Sequence, residues 1–280
     1  MLIAQLTDLH LTDEDQPAYN VVDTVSPLKR AVAHLNELNP RPDFCVVTGD
    51  IADDGSMHAY ERAREILGKL VMDWVVLPGN HDHKASLVKT LLSGIDWVQP
   101  AEDRICWSLP LGHIRLLALD TTIPGCHQGG LDLPMLRWLE NELDVHRNFP
   151  MILCMHHPPF PIGIGHMDRT PMTGAEKLAA LLSESPNVIR ILAGHAHRPI
   201  VGEFGGSLVS VAPSTAMQLA LDLRPQAPSE FVLEPSGFAL HLWHKDWTGK
   251  PSLLTHFGVL NGGDHLFSGP HPFFDLVLPK

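Results

Sequence analysis

Five short apolar runs in this sequence each lead into a tight turn that carries Asp, Asn or His side chains. The clearest is the strand-like run 74–77, which Pro78 and Gly79 end and which Asn80 and His81 follow. In open α/β sheets, ligands gather beyond the carboxyl ends of the strands. Five turns of this build therefore favour a sheet fold in which distant parts of the chain meet at one polar site.

The rest of the pattern predicts an α/β fold. Strand-like runs and amphipathic helical segments alternate up to about residue 215, which indicates stacked sheets covered by helices. The remaining segment, 216–280, contains a Pro-rich loop at 224–229, and short strand candidates follow at 230–234, 238–243 and 252–257. We expect this segment to supply strands, a cap and an oligomer contact that pack closely on the core. Its apolar tail, 273–278, is predicted to lie in the interface of a homo-oligomer.

The charge balance limits the partners of the chain. Its 280 residues carry a formal net charge of −12, with 20 Lys and Arg against 32 Asp and Glu. Such a chain repels a nucleic-acid polymer, although bound cations can reverse the local field for a small phosphorylated substrate. The sequence has no signal-like N-terminus, no apolar run long enough to span a membrane, and no C-x-x-C pair among its four cysteines. We therefore expect a cytoplasmic protein with reduced thiols and no membrane partner.

The side chains at the five strand ends have the chemistry of metal ligands. They are Asp8 and His10, Asp50, Asn80 and His81, His156, and His195 and His197. Carboxylate, amide and imidazole donors without a thiolate suit Mn, Fe, Zn or Co, and argue against a structural zinc site. Without His81, seven candidates remain. These are too many for one four-coordinate ion, and they suffice for two divalent ions if one carboxylate bridges.

The ordered motifs D-x-H, G-D, G-N-H-D, H-H-P-P and G-H-x-H resemble those of the calcineurin-like metallophosphoesterases. Within that superfamily they are most similar to the bacterial class III cyclic-nucleotide phosphodiesterases and the related glycerophosphodiesterase. The resemblance covers residues 1 to about 215. It implies a catalytic core over 1–215, built as a four-layer αββα sandwich of two mixed sheets, with a binuclear metal centre.

The resemblance also implies which residues hold the two ions. One ion would be bound by Asp8, His10, Asp50 and His197. The other would be bound by Asp50, Asn80, His156 and His195, so that Asp50 bridges the pair.

The activity implied is hydrolysis of a small phosphodiester, such as a 3′,5′-cyclic nucleotide or a glycerophosphodiester. Two cations about 3.5–4 Å apart can stabilise the attacking and leaving oxygens of an in-line displacement, with a hydroxide as the nucleophile. The predicted catalytic residues are Asp50, Asn80 and His81, and His81 would act as a general acid or as an electrostatic contact to the phosphate. Asn80, His81 and Tyr19, which lies on the polar loop after the first motif, are the predicted substrate contacts.

Two other interpretations stay open. One is a phosphomonoesterase or a broad-specificity organophosphate hydrolase of the same fold, and the other is a non-enzymatic scaffold. Scaffold relatives usually lose ligands, whereas this chain keeps all seven. The segment 49–55 lacks the phosphate-binding Arg that protein phosphatases of this fold carry, which disfavours that class.

Other polar residues near the motifs are expected to serve structure. Asp82 is a candidate cap of the helix that follows it. His157 is expected to support the strand end and not to bind an ion. Asp53 and Asp54 are assigned to a solvated turn, and no role is assigned to His83, His127 and His166.

Overall fold

The structure is a computed structural model that describes residues 1–13, 16–101 and 104–260, so the apolar tail 273–278 lies outside the described residues. The helices are α1 (Val25–Glu37), α2 (Met57–Leu67), α3 (Lys84–Leu87, continued by a π-helical turn over Val88–Leu92), α4 (Leu133–Val145) and α5 (Ala175–Ser183). The strands are β1 (Leu2–Leu6), β2 (Phe44–Thr48), β3 (Asp73–Leu77), β4 (Val98–Ala101), β5 (Arg104–Leu111), β6 (Ile114–Leu119), β7 (Met151–Met155), β8 (Val188–Ala193), β9 (Ile200–Phe204), β10 (Ser207–Val211), β11 (Gln218–Leu219), β12 (Phe231–Val232), β13 (Gly237–Lys245) and β14 (Pro251–Val259).

These strands form two large mixed sheets and one small ribbon. The first sheet has the order β14-β13-β1-β2-β3, the second has the order β4-β5-β6-β7-β8-β10-β9, and β11 pairs with β12. Strands β1, β2 and β3 are parallel, as are β6, β7, β8 and β10, while the other neighbours are antiparallel. The carboxyl ends of the parallel strands in each sheet therefore lie at a common edge.

The burial pattern explains how the layers stack. On β6, Leu116 and Ala118 belong to a core cluster shared with the first sheet, α1 and α2. Their neighbours Leu117 and Leu119 belong to a second cluster with α4 and α5. Because successive side chains of a strand point to opposite faces, the second sheet is buried on both sides. The predicted α/β sandwich of two mixed sheets is confirmed.

The C-terminal strands complete the first sheet. Strand β13 pairs antiparallel with β1 and places Leu242 opposite Leu2 and Ala239 opposite Gln5. Of the three predicted strands, 230–234 shortens to β12, whereas the other two lengthen to β13 and β14.

The boundary at residue 215 and the oligomer contact stay predictions. No helix in the described residues is long and apolar enough to cross a bilayer.

Hydrogen bonds from buried polar side chains tie the two sheets together. Gln5 on β1 donates from Nε2 to Thr48 Oγ1 at 2.8 Å and to the carbonyl of Ala193, on the second sheet, at 2.9 Å. Arg190 on β8 donates to the carbonyl of Leu253, on the first sheet, at 2.8 Å. Buried polar groups of this kind favour one relative placement of the sheets, because any other placement leaves them unpaired.

His241 on β13 contacts one of these buried polar side chains. Its ring lies 3.1 Å from Gln5 Oε1 and 3.0 Å from Thr255 Oγ1, and it is completely buried. Burial lowers the pKa of His241 to about 3, and the nearby Arg190 adds to the shift. The folded protein therefore holds this histidine neutral at pH values where the unfolded chain protonates it.

This difference predicts a pH-dependent stability. A histidine whose pKa falls on folding contributes stability that is complete above its unfolded pKa and is lost as the pH drops below that value. Relative to His241→Gln, the native chain should lose roughly 2 kcal/mol of unfolding free energy between pH 7 and pH 5. Urea unfolding of both proteins at the two pH values measures this loss. The matched change His113→Gln at an exposed site should leave the pH dependence unaltered, and an equal loss in His241→Gln would contradict the assignment.

Candidate metal centre

The seven predicted ligands lie together at the edge of the sandwich where the parallel strands end. Asp8 and His10 follow β1, Asp50 follows β2, Asn80 follows β3, His156 follows β7, and His195 and His197 follow β8. Each sheet thus contributes part of the set. The structure brings these residues together as the sequence predicts, while their binding of ions stays a prediction.

Five of the seven have a left-handed backbone. The φ angles are 52° at Asp8, 46° at His10, 50° at Asp50, 66° at His195 and 47° at His197. This conformation is uncommon for residues other than glycine and costs roughly 1–3 kcal/mol at each position. The surrounding packing therefore holds these turns in strained conformations that direct the side chains toward one another.

One group of donors surrounds the ends of β1 and β2. The donor atoms of Asp8, His10, Asp50 and His197 all lie within 4.8 Å of one another, and all four residues are buried. The Nε2 atoms of His10 and His197 are only 3.1 Å apart. His197 Nε2 is 3.4 Å from Asp8 Oδ1, and His10 Nε2 is 3.7 Å from Asp50 Oδ2.

A second group surrounds His156. Its Nε2 atom lies 3.3 Å from Asp50 Oδ2 and 3.1 Å from Asn80 Oδ1. The ring of His195 packs against the ring of His156 with centroids 5.1 Å apart. Asp50 Oδ2 therefore belongs to both groups, which is the position that a bridging carboxylate would occupy.

The imidazoles of the first group can be oriented from their outer hydrogen bonds. His10 Nδ1 lies 2.8 Å from Asp53 Oδ1, and His197 Nδ1 lies 3.0 Å from the carbonyl of Met217. A carboxylate and a carbonyl only accept, so each Nδ1 must be the donor. In the neutral rings both Nε2 atoms then present lone pairs to each other across 3.1 Å. That arrangement repels unless a cation lies between the nitrogens, so the residues fit a metal ion.

The second group can be oriented in the same way. His156 Nδ1 donates to the carbonyl of Thr48 at 2.8 Å, so its Nε2 faces the oxygens of Asp50 and Asn80 and can carry either a proton or a metal ion there. Burial alone would raise the pKa of Asp50 and lower that of His156. Their mutual attraction prevails, so the pKa of Asp50 falls well below its usual range and the pKa of His156 rises to about 9. The second group therefore favours positive charge next to Asp50.

A cavity of about 550 Å³ opens onto both groups. Its lining includes His10, Asp50, Asn80, His195 and His197, and no Lys or Arg of the described residues contributes to it. The positive charge that a bound phosphate requires would therefore come from the ions and the histidines.

His81 and Tyr19 line the same cavity, as the sequence predicts. The His81 ring lies edge-on to His10 at a centroid distance of 4.8 Å, and its Nδ1 donates to the Asp53 carbonyl at 2.7 Å. Its Nε2 is thus the nitrogen left for the cavity. Burial raises the pKa of the Tyr19 hydroxyl, and the carboxylates of Asp53 and Asp50 raise it further. Whether either residue contacts a substrate stays a prediction.

Comparison with known proteins identifies the family. A family model for calcineurin-like phosphoesterases matches residues 1–199. The chain belongs to the calcineurin-like phosphoesterase family. The superfamily inferred from the five motifs is thereby confirmed.

Named relatives of this phosphoesterase include two kinds of phosphodiesterase. It is 36% identical over 276 residues to a "Probable glycerophosphodiester phosphodiesterase GpdQ" of Arcobacter nitrofigilis, covering 98% of this chain and 97% of that one. It is 34% identical over 218 residues to a cAMP/cGMP dual specificity phosphodiesterase of Mycobacterium tuberculosis, covering 76% and 67%. Among solved structures, a dimetal phosphatase from Danio rerio has a TM-score of 0.62 at 16% identity, covering 93% and 99%. That likeness concerns the fold alone.

Asp53 corrects one of the expectations from sequence. It does not sit in a solvated turn, because its carboxylate orients His10 and its carbonyl orients His81. A carboxylate that accepts from a metal-ligand imidazole fixes the tautomer and the ring orientation. The signal in the sequence was its position three residues after Asp50, which places it in the same turn.

Asp82 corrects a second expectation. The residue before α3 is His83, whose side chain makes no capping bond, so Asp82 does not cap this helix. Its carboxylate accepts from the backbone amides of 51–52 and of Gly79, and from the Tyr60 hydroxyl at 3.0 Å. Asp82 therefore holds the turn after β2 against the turn after β3.

The close approach of these turns requires a glycine at position 79, because a Cβ atom on Gly79 would lie 2.1 Å from Asp50 Oδ1.

The region also contains two supporting histidines. His157 occupies both ring nitrogens in hydrogen bonds, with Thr121 Oγ1 at 2.8 Å and the His127 carbonyl at 3.2 Å, which agrees with its predicted supporting role. His127, to which the sequence assigns no role, accepts from the Asn80 amide nitrogen at 3.2 Å and so turns Asn80 Oδ1 toward His156. No local sequence pattern predicts this contact, since 47 residues separate the partners.

Removing the Asp53 carboxylate should weaken metal binding in this phosphoesterase. Asp53→Asn leaves His10 free to change tautomer and ring orientation, and we expect Mn affinity to fall about 10–100-fold. Competition with a metal-sensitive dye measures the affinity directly. The neighbouring change Asp54→Asn is the matched control, because Asp54 lies in an exposed turn where its carboxylate accepts from the Ser56 amide. Equal Mn affinities in the two variants would contradict the role of Asp53.

Proposed function

We propose that this protein is a phosphodiesterase that uses two divalent ions to hydrolyse a small phosphodiester. The observation that carries the proposal is the convergence of the Nε2 atoms of His10, His197 and His156, with Asp50 Oδ2 between the two groups. Such an arrangement is stable when cations occupy both positions. Membership of the calcineurin-like phosphoesterase family supports the same reaction class.

The donor set supports a definite distribution of ligands. Asp8, His10, Asp50 and His197 would hold one ion, and Asp50, Asn80, His156 and His195 would hold the other. Oxygen and imidazole donors suit Mn, Fe, Zn or Co. Such ions supply Lewis acidity at the phosphoryl oxygens and a water nucleophile at neutral pH.

The charge of the cavity supports a diester and not a monoester as substrate. A phosphomonoester carries up to two negative charges near neutral pH, whereas a diester carries one. None of the described residues that line the cavity is a Lys or an Arg, so the second charge of a monoester would be balanced only by the ions and the histidines and would lie near the carboxylates of the site.

His81 is well placed for proton transfer to the leaving oxygen. The Asp53 carbonyl fixes its Nδ1 as the donor, and the edge-on contact with His10 holds the ring at the cavity wall. Its Nε2 can therefore donate to the leaving oxygen as a general acid, or to a phosphoryl oxygen as an electrostatic contact. Asn80, the preceding residue of the same turn, would contact the same phosphate.

A glycerophosphodiester is the first substrate to test. The relative named as a probable glycerophosphodiester phosphodiesterase is 36% identical and aligns with 98% of the chain. Cyclic nucleotides are the second candidate, because relatives named for them are 34% and 30% identical and align with 76% and 84% of the chain.

A substrate panel tests the proposed activity. With Mn-loaded enzyme, bis(p-nitrophenyl) phosphate should exceed p-nitrophenyl phosphate in kcat/KM by about tenfold or more, because the monoester adds a negative charge in a cavity without cationic side chains. Glycerophosphocholine and 3′,5′-cyclic AMP, assayed by product release, then separate the two substrate classes. A preference for the monoester would favour a phosphomonoesterase, and no turnover with any metal would favour the scaffold interpretation.

Two variants test the roles of the proposed residues. Asp50→Ala removes a ligand of both ions, so bound metal and turnover should both be lost. His81→Ala should keep its metal while kcat for a diester with a poor leaving group falls about 10²–10⁴-fold, the usual contribution of a general acid. Elemental analysis and steady-state kinetics measure the two effects. His83→Ala, an exposed neighbour outside the cavity lining, is the matched control, and parental turnover in His81→Ala would remove the assignment.

A further inference from the structure

The cavity has two chemically different parts. Next to the metal ligands it is polar, whereas farther out its lining is mainly apolar. The apolar part, here called the outer wall, consists of Tyr19, Phe160, Ile162, Met217, Leu219 and Phe231. None of these side chains is used by the proposed chemistry at phosphorus, apart from the predicted contact of Tyr19.

The outer wall includes an aromatic pair. The rings of Tyr19 and Phe231 are 5.3 Å apart at their centroids and are inclined by 42°. Phe231 packs against a small buried cluster that includes Ala18, Val22 and Met217. Tyr19 is 49% exposed and lines the cavity, so it is accessible to a ligand there.

The backbone under Tyr19 is strained. Tyr19 and Asn20 have φ angles of 51° and 63° in a turn closed by the paired residues Ala18 and Val22. Such a turn ordinarily has Asn or Gly at its first left-handed position, and a bulky residue there is an outlier. A strained position that delivers an aromatic ring to a ligand cavity is typical of a functional contact.

The loop 160–172 also lines the cavity and contributes Phe160 and Ile162 to the outer wall. Asp168 accepts from the backbone amides of Ile162 and Gly163 at 2.8 and 2.7 Å, which fixes the loop. His166, in the same loop, lines the cavity, and both its ring nitrogens are shielded from solvent with no hydrogen-bond partner among the described residues. Buried polar atoms without a partner favour a ligand that supplies one.

The charges of the outer part exclude one kind of ligand. The carboxyl groups of Asp168 and Glu230 line the cavity there, and the described lining residues include no Lys or Arg. An ester arm that carried its own negative charge would meet carboxylates and find no cationic partner. An uncharged arm with an apolar face meets no such penalty.

We propose that the outer wall is the subsite for the second ester arm of the substrate. It selects diesters whose arm is apolar or aromatic and carries no negative charge, with Tyr19 and Phe231 packing on its face and His166 bonding to a hydroxyl on it. This inference rests on the proposed phosphodiesterase activity and adds the substrate class.

A series of p-nitrophenyl phosphodiesters tests the proposal, because one leaving group is kept while the other arm changes. The arms are methyl, phenyl, 4-(hydroxymethyl)phenyl and 4-carboxyphenyl, and p-nitrophenolate release by the full-length, Mn-loaded enzyme gives kcat/KM. We expect phenyl to exceed methyl by about tenfold, as one good aromatic contact allows. The 4-carboxyphenyl ester should fall below the phenyl ester, and the hydroxymethyl group should improve on phenyl severalfold.

Variants locate the effect on the outer wall. Tyr19→Ala and Phe231→Ala should each reduce the phenyl-to-methyl ratio severalfold, and His166→Leu should remove the gain from the hydroxymethyl group. Leu233→Ala, an exposed residue just beyond β12, should leave both ratios at parental values. Tyr19 is half exposed, so its variant remains informative if Phe231→Ala fails to fold.

A binding measurement avoids dependence on turnover. Diphenylphosphinate and dimethylphosphinate have no ester bond to break, and titration calorimetry should show tighter binding of the diphenyl compound, with the difference reduced in Tyr19→Ala. A phenyl-to-methyl ratio near one, ratios unchanged in the aromatic variants, or a preference for the carboxylated arm would each overturn the subsite. If the methyl ester is hydrolysed while all arms behave alike, the subsite fails and the phosphodiesterase proposal stands. If no diester is hydrolysed, both fail.

Discussion

The structure depends on one electrostatic constraint, which is the placement of Asp50 between imidazoles whose Nε2 atoms face inward. Its Oδ1 atom accepts from the His81 amide at 2.9 Å, while its Oδ2 atom is shared by His10 and His156. A buried carboxylate in this position is unfavourable without positive charge, which protonated imidazoles or bound ions supply. Three features hold Asp50 in this position. They are the strained turns, the hydrogen bonds that Asp82 accepts, and the absence of a side chain at Gly79.

The same constraint couples the site to the sandwich. Each proposed ligand set draws residues from both sheets, since Asp8, Asp50 and Asn80 follow strands of the first sheet and His156, His195 and His197 follow strands of the second. A small shift of one sheet over the other would separate the donors of both ions. The contacts of Gln5 and Arg190 across the interface prevent such a shift. Ion binding should in turn stabilise the packing of the sheets, because a ligand that binds only the assembled site favours that state.

The parts predicted from sequence are those whose signals are local. A buried strand followed by an Asp, Asn or His turn is contained in about eight residues, so the position of Asp50 or His156 at a strand end is visible before the fold is known. The sequence places Asp53 in the same turn as Asp50, but the roles of Asp53, Asp82 and His127 each depend on a partner that only tertiary packing brings near. The pairing of β13 with β1 is hidden for the same reason, since its residues are more than 230 positions apart.

The proposed metal ligands lie in one part of the chain, whereas the outer wall is drawn from two. The family match ends at residue 199 and includes every proposed metal ligand. Met217, Leu219 and Phe231, on and beside the small ribbon of β11 and β12, lie beyond that limit and still line the cavity. Met217 links the ligands to the wall, because its carbonyl fixes the tautomer of His197 while its side chain packs in the cluster that supports Phe231. A change in the outer wall can therefore reach the metal site through the backbone of one residue, whereas most of the wall can vary without disturbing the ligands.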